Sequence, residues 1–190
     1  MKTIEELKHL LTIEPCSEVQ EIENTFHNLA YELINNYGIE KRGVIYRFIE
    51  IEFYHNKTDM GATKEITYRR IAEAGEWFFH PSGIDLTFNS NNESYGGILI
   101  RSIKCGDKFI CGPHNVEFEL FDKFNALADP DNFPIIVPLQ SPSSLTPLPI
   151  TRFNIEGKKL YGFCVPKDNW PRPGKQYQAY PWYYNNVRKR

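Results

Sequence analysis

The stretch Arg47-Phe48-Ile49-Glu50-Ile51-Glu52-Phe53-Tyr54 constrains this chain more than any other, because its alternation suits an extended strand with two unlike faces. Successive side chains of a strand project to opposite sides. Glu50, Glu52 and Tyr54 therefore share one face, and Ile49, Ile51 and Phe53 the other. The apolar face anchors the strand in a core. The acidic face must meet solvent or line a cleft, since an unpaired buried carboxylate is strongly disfavoured. Solvated acids on a half-exposed strand and a cleft holding two carboxylates beside a ring both satisfy that requirement.

Ahead of this strand the pattern is helical. Thr3-Ile4-Glu5-Glu6 fits a capping box, and Ile4, Leu7, Leu10 and Leu11 recur at helical spacing up to Pro15. Ser17-Glu18-Val19-Gln20 predicts a second box, opening a longer helix with Val19, Ile22, Phe26, Leu29, Ala30, Leu33 and Ile34 on one face and Gly38 as its stop. From about residue 43 the chain turns to β-branched and aromatic runs separated by turn residues, with most of its 13 prolines. Strands are expected at Val44 to Tyr54, Trp77 to His80, Ile84 to Phe88 and Tyr95 to Arg101, with a turn or two of helix between Thr67 and Ala74. Gly96-Gly97 marks a close backbone approach. The expected fold is α+β: one domain over 1–190, helical over 1–38, and a curved, mostly antiparallel sheet over 43–185 packed on those helices.

With 190 residues, 41% of them hydrophobic and 24% charged, the chain can bury a core without staples. No apolar run is long enough to cross a bilayer and the N-terminus lacks the apolar segment of a signal peptide, which points to the cytoplasm and away from a membrane partner. Cys16, Cys105, Cys111 and Cys164 contain no CxxC pair and read as reduced packing residues. A net charge of −2 provides no general attraction to nucleic acid, so such a partner needs a local patch. Lys158-Lys159, Arg172, Lys175 and Arg188-Lys189-Arg190 are the candidates.

Several segments, in order, resemble the alkyladenine (3-methyladenine) DNA glycosylase family. Arg47 to Tyr54 resembles its R-I-V-E-T-E-A-Y strand, Gly75-Glu76-Trp77-Phe78-Phe79-His80 its G-x-L-Y-V-Y strand, and Ile98-Leu99-Ile100-Arg101-Ser102-Ile103 its V-L-L-R-A-L strand. Cys111-Gly112-Pro113-His114-Asn115-Val116 resembles its S-G-P-x-K-L segment and Pro181-Trp182-Tyr183-Tyr184 its P-W-R-F-Y. The resemblance covers roughly residues 29 to 185 and implies the glycosylase-like fold, also that of the formyltransferase C-terminal domain.

It further implies DNA base excision: hydrolysis of the N-glycosidic bond of an alkylated or otherwise modified purine by a Glu-activated water, with no cofactor and no metal. Glu52 would be the base and Arg101 would stand near the water. Tyr54 would stack on the extruded base, Phe78 or His80 would supply a second ring, and Asn89 would lie near the base. The sequence departs from the family at Thr63, where a histidine is usual, and at Pro81-Ser82-Gly83, where an intercalating tyrosine is usual. Asn115 and Tyr183 replace basic residues. Damaged, distorted or single-stranded DNA is therefore expected as partner rather than ordinary duplex, with the protein acting as a monomer. The alternative function is a non-catalytic relative that binds nucleic acid or a nucleoside. A metal hydrolase built on Glu52, His55, Asp59, His80 and Asp85 lacks any HExxH-type spacing.

Overall fold

The computed structural model describes residues 2–60, 66–122, 127, 133–152, 155 and 159–166. Helix α1 (Ile4–Leu11) begins at the expected capping box: the Thr3 backbone N–H donates to Glu6 Oε2 (2.8 Å) and the Glu6 N–H donates to Thr3 Oγ1 (3.2 Å). Leu7 and Leu11 are its buried face. Helix α2 (Val19–Asn36) starts one residue later than the sequence suggests. Glu18 is its N-cap and donates its backbone N–H to Glu21 Oε2 (3.0 Å). Ile22, Phe26, Leu29, Ala30, Leu33 and Ile34 are buried along α2, whereas Val19 is exposed.

The helix does not stop on Gly38. It ends at Asn36, and Tyr37, with φ −124°, turns the chain directly into strand β1 (Tyr37–Lys41). Gly38 is a glycine for closeness, since a Cβ there would lie 2.9 Å from the carbonyl oxygen of Tyr46 on the next strand. Strands β2 (Val44–His55), β3 (Trp77–His80), β4 (Gly83–Thr87), β5 (Gly96–Cys105) and β6 (Lys108–Cys111) follow. Helix α3 (Pro113–Leu120) and strands β7 (Ile135–Pro138), β8 (Leu148–Ile150) and β9 (Gly162–Cys164) complete the described elements. They form one sheet in the order β3-β4-β5-β2-β1-β7, with β6 on β5 and the β8–β9 pair on β2. Every pairing is antiparallel, so the chain is α+β with three helices and a curled antiparallel sheet.

Between Thr67 and Ala74 no helix forms. The segment is irregular, with a bend at Thr67 and a turn at Ala74, and Ala72 exchanges backbone hydrogen bonds with Ser90 (3.1 and 2.8 Å). The core lies between α2 and the apolar face of β2. Phe26 stacks on Phe53 (4.8 Å between centroids), and Phe163 meets Phe53 edge-on (5.5 Å). Such ring pairs add about 0.5–1.5 kcal/mol beyond the area they bury. Among the described residues the four cysteines form no disulfide; Cys111 and Cys164 are buried, Cys105 is half-buried and Cys16 is exposed. No helix among the described residues is long and apolar enough to cross a membrane. Thr63, Lys158, Arg172, Lys175, the Pro181 to Tyr184 segment and Arg188 to Arg190 lie outside the described residues.

Candidate active site

Strand register builds the site. Glu52 on β2 lies opposite Leu99 on β5, Leu99 opposite Asp85 on β4, and Asp85 opposite Phe78 on β3. Directly opposed residues project to the same side of a sheet. Glu52 and Asp85 thus share one face on either side of Leu99, with Arg101 two residues further along β5. Between Phe48 and Ile51 the pairing steps irregularly, from Phe48–Ile103 to Glu50–Ser102 to Ile51–Ile100. The register is the same on both sides of this step, and it brings Arg101 beside both carboxylates of β2: its Nε is 3.2 Å from Glu50 Oε1 and 3.3 Å from Glu52 Oε1.

A cleft of about 580 Å³ opens over this face, within the range of small-molecule sites. The sheet contributes Glu52, Tyr54, Asp85, Leu99 and Arg101 to its lining. The segment after residue 65 adds Ile66, Tyr68 and Arg70; His80, Pro81 and Ser82 come from the β3–β4 turn, and Pro113 and His114 from the start of α3. A second cleft of about 560 Å³ beside α1 is mostly apolar, with Lys8 and Glu76 as its charged lining residues.

Two polar clusters meet in the first cleft. In one, the Tyr54 hydroxyl donates to Glu52 Oε2 (2.7 Å) while Arg101 engages Oε1. Burial, and next the Glu52 charge, hold the Tyr54 phenol far above its usual pKa, so it stays a donor throughout the neutral range. The Arg152 guanidinium lies 4.7 Å from the Tyr54 ring and backs it. Glu50 sits behind: it takes Arg101 Nε and the Ser102 hydroxyl (3.1 Å), and burial pushes its carboxyl up to about 7 against the pull of Arg101. Both acids are only 1% exposed, so β2 carries neither of them into solvent.

In the other cluster, Asp85 joins Arg70 Nη1 (2.7 Å) and His80 Nε2 (2.9 Å). The Ser82 backbone N–H donates to His80 Nδ1 (3.2 Å), which assigns the ring proton to Nε2. Arg70 lies over the Phe78 ring at 4.0 Å, and the Tyr68 ring packs against His80 at 4.6 Å. Gly97 makes the space, because a Cβ there would stand 2.8 Å from Arg70 Nη1. Arg70 Nη2 is buried and meets no hydrogen-bond partner among the described residues.

Of the residues expected at the site, Glu52, Arg101, Tyr54 and His80 come together in the cleft. Phe78 stands behind it as the platform under Arg70. Asn89 is elsewhere: it is exposed, and its backbone N–H donates to the Leu11 carbonyl at the end of α1 (3.0 Å). Arg70 and Tyr68 lie in an irregular segment where the sequence predicts a turn or two of helix, a pattern that does not point to the cleft. Asp85 entered only as a possible metal ligand, although an acid between Ile84 and Leu86 carries the same signal as Glu52 between Ile51 and Phe53. Of the five residues weighed for a metal, Glu52, His80 and Asp85 line the cleft and His55 and Asp59 do not, and no group of three among the described residues is placed to hold an ion. His55 Nε2 is 3.2 Å from Ser94 Oγ, Asp59 pairs with Arg152 (2.8 Å), and His80 and Asp85 hold each other.

Fold and site define an α+β protein whose curled antiparallel sheet floors a carboxylate-bearing cleft of small-molecule size. No family model matches the sequence, and no curated protein matches it.

Proposed function

We propose that this cleft removes an alkylated or otherwise modified purine from DNA by hydrolysing its N-glycosidic bond. The observation that carries the reading is the buried Glu52 carboxylate lining the cleft, aimed by the Tyr54 hydroxyl and Arg101. Glu52 takes a proton from water as the water oxygen bonds to the sugar C1′. The C1′–N bond breaks, its electron pair leaves with the base, and the base is protonated from solvent. A carboxylate has about four lone-pair sites. Tyr54 engages one oxygen of Glu52 and Arg101 the other. An extruded base enters beside the rings of Tyr54, Tyr68 and His80, which line the same cleft.

Release of free base from alkylated single-stranded and duplex oligonucleotides, by wild type and by Glu52→Gln, tests this. A general base contributes about 10² to 10⁴-fold, and a loss of that size is expected with the fold retained. Equal release from both proteins overturns the assignment. The close engagement of Glu52 by Arg101 and Tyr54 also suits a second reading, a binding module in which the carboxylate only accepts hydrogen bonds from a base or nucleoside. Under that reading wild type retains the ligand and releases no base.

A further inference from the structure

We propose that Glu50 is a positioning residue that acts through Arg101 to control how strongly Glu52 holds a proton. The inference deepens the hydrolytic reading of the cleft and rests on it for its kinetic consequence. Two carboxylates compete for one guanidinium edge: Arg101 Nε is 3.2 Å from Glu50 Oε1 and 3.3 Å from Glu52 Oε1. All three side chains are nearly out of contact with water, at 9% exposure for Arg101 and 1% for each acid, so the competition is poorly screened by solvent.

Glu50 itself is absent from the cleft lining. Among the described residues, the groups that face it are Glu52 on its own strand, Arg101 and Ser102 on β5, Cys111 on β6, and the backbone of Cys164 on β9. Ser102 and Cys111 are neutral, the Cys111 thiol being pushed up to about 11 by burial. Arg101 is therefore the cation through which the charge of Glu50 reaches Glu52.

With Glu50 ionised, Arg101 is shared and a second negative charge lies beside Glu52. Both effects make Glu52 a stronger base. With Glu50 protonated, its competition for the guanidinium weakens, and Glu52 then holds a proton less well. Burial places the exchange of Glu50 between these states at about pH 7, so the cleft switches near neutrality.

The first measurement is the pH dependence of base release by wild type, Glu50→Gln and Glu50→Asp. Wild type should gain about fivefold on passing upward through pH 7, the low end of coupling between interacting sites. Glu50→Gln should stay flat at the lower rate, and Glu50→Asp should regain the rise. A rise that persists in Glu50→Gln overturns the proposal.

The second measurement needs no turnover. Glutamate carboxyl resonances, assigned with the two Gln variants, should show Glu50 titrating near pH 7 in wild type and clearly lower in Glu52→Gln, where the competing charge is gone. An unchanged Glu50 midpoint overturns the coupling, whatever the activity. A shifted midpoint without base release supports the coupling and sinks only the hydrolytic reading.

Discussion

At the scale of single residues, the Tyr54 hydroxyl and ring do separate work. The hydroxyl aims Glu52, and the ring is backed by Arg152. Tyr54→Phe should keep substrate capture but slow base release, while Tyr54→Ala should also weaken capture by about ten- to a hundredfold, the contribution of one stacked base. Equal binding and equal release in both variants would remove Tyr54 from the site. Two buried groups set opposing pH trends in stability. Glu50 is raised from 4.5 to about 7, so the native chain keeps a proton that the unfolded chain has lost. Its contribution is fully present below pH 4.5 and is lost as pH rises through 7, on the order of 3 kcal/mol in all. His55, lowered by burial from 6.5 to about 4, contributes in the other direction, losing stability as pH falls through that window. Urea unfolding should therefore find Glu50→Gln more favourable relative to wild type at pH 8 than at pH 4.5. The same difference at both pH values would contradict the burial of an ionising Glu50.

At the scale of elements, register does the work that no single residue can. The β2–β5–β4 pairing sets Glu52, Leu99 and Asp85 in one row, and the paired glycines of β5 hold its neighbours close. A Cβ on Gly96 would fall 2.2 Å from the Tyr54 carbonyl oxygen, whereas one on Gly97 would meet the Arg70 side chain at 2.8 Å. Backbone in a central strand cannot step aside as a side chain can. Thermal melts should accordingly rank Gly96→Ala as the more destabilising change. Gly97→Ala should cost about 1–3 kcal/mol, the usual range for overpacking, and should disturb the Arg70–Asp85 pair and ligand binding with it. A silent Gly97→Ala would mean that Arg70 does not depend on that gap.

At the scale of the whole molecule, a net charge of −2 limits how any nucleic acid is held. Each neutralised phosphate adds about −0.9 to the slope of log affinity against log salt on duplex DNA, so few contacts mean a shallow slope. Fluorescence anisotropy should show weak binding to ordinary duplex, tighter binding to single-stranded or distorted DNA, and little salt dependence. Tight duplex binding with a steep slope would require a basic surface that the overall charge does not suggest.

Local chemistry is what the sequence determined alone. The capping box at Thr3, the apolar face of α2, the two faces of β2 and the close approach at Gly96-Gly97 depend on periodicity and on backbone sterics within a few residues, and each stands in the structure. Glu52 and Tyr54 could be paired from spacing because they are two residues apart on one strand. Tertiary structure alone decided the rest. Gly38 became a strand residue, paired with Arg47 on one side and Val137 on the other, where the Tyr46 carbonyl leaves no room for a Cβ. Residues 67–74 formed no helix, and Ala72 bridges Ser90 instead. Arg70 met Asp85, and Arg101 met two glutamates about 50 residues away, only through strand register. A pairing between distant strands is settled by which faces can be buried together across the whole sheet, and no local window of sequence contains that information.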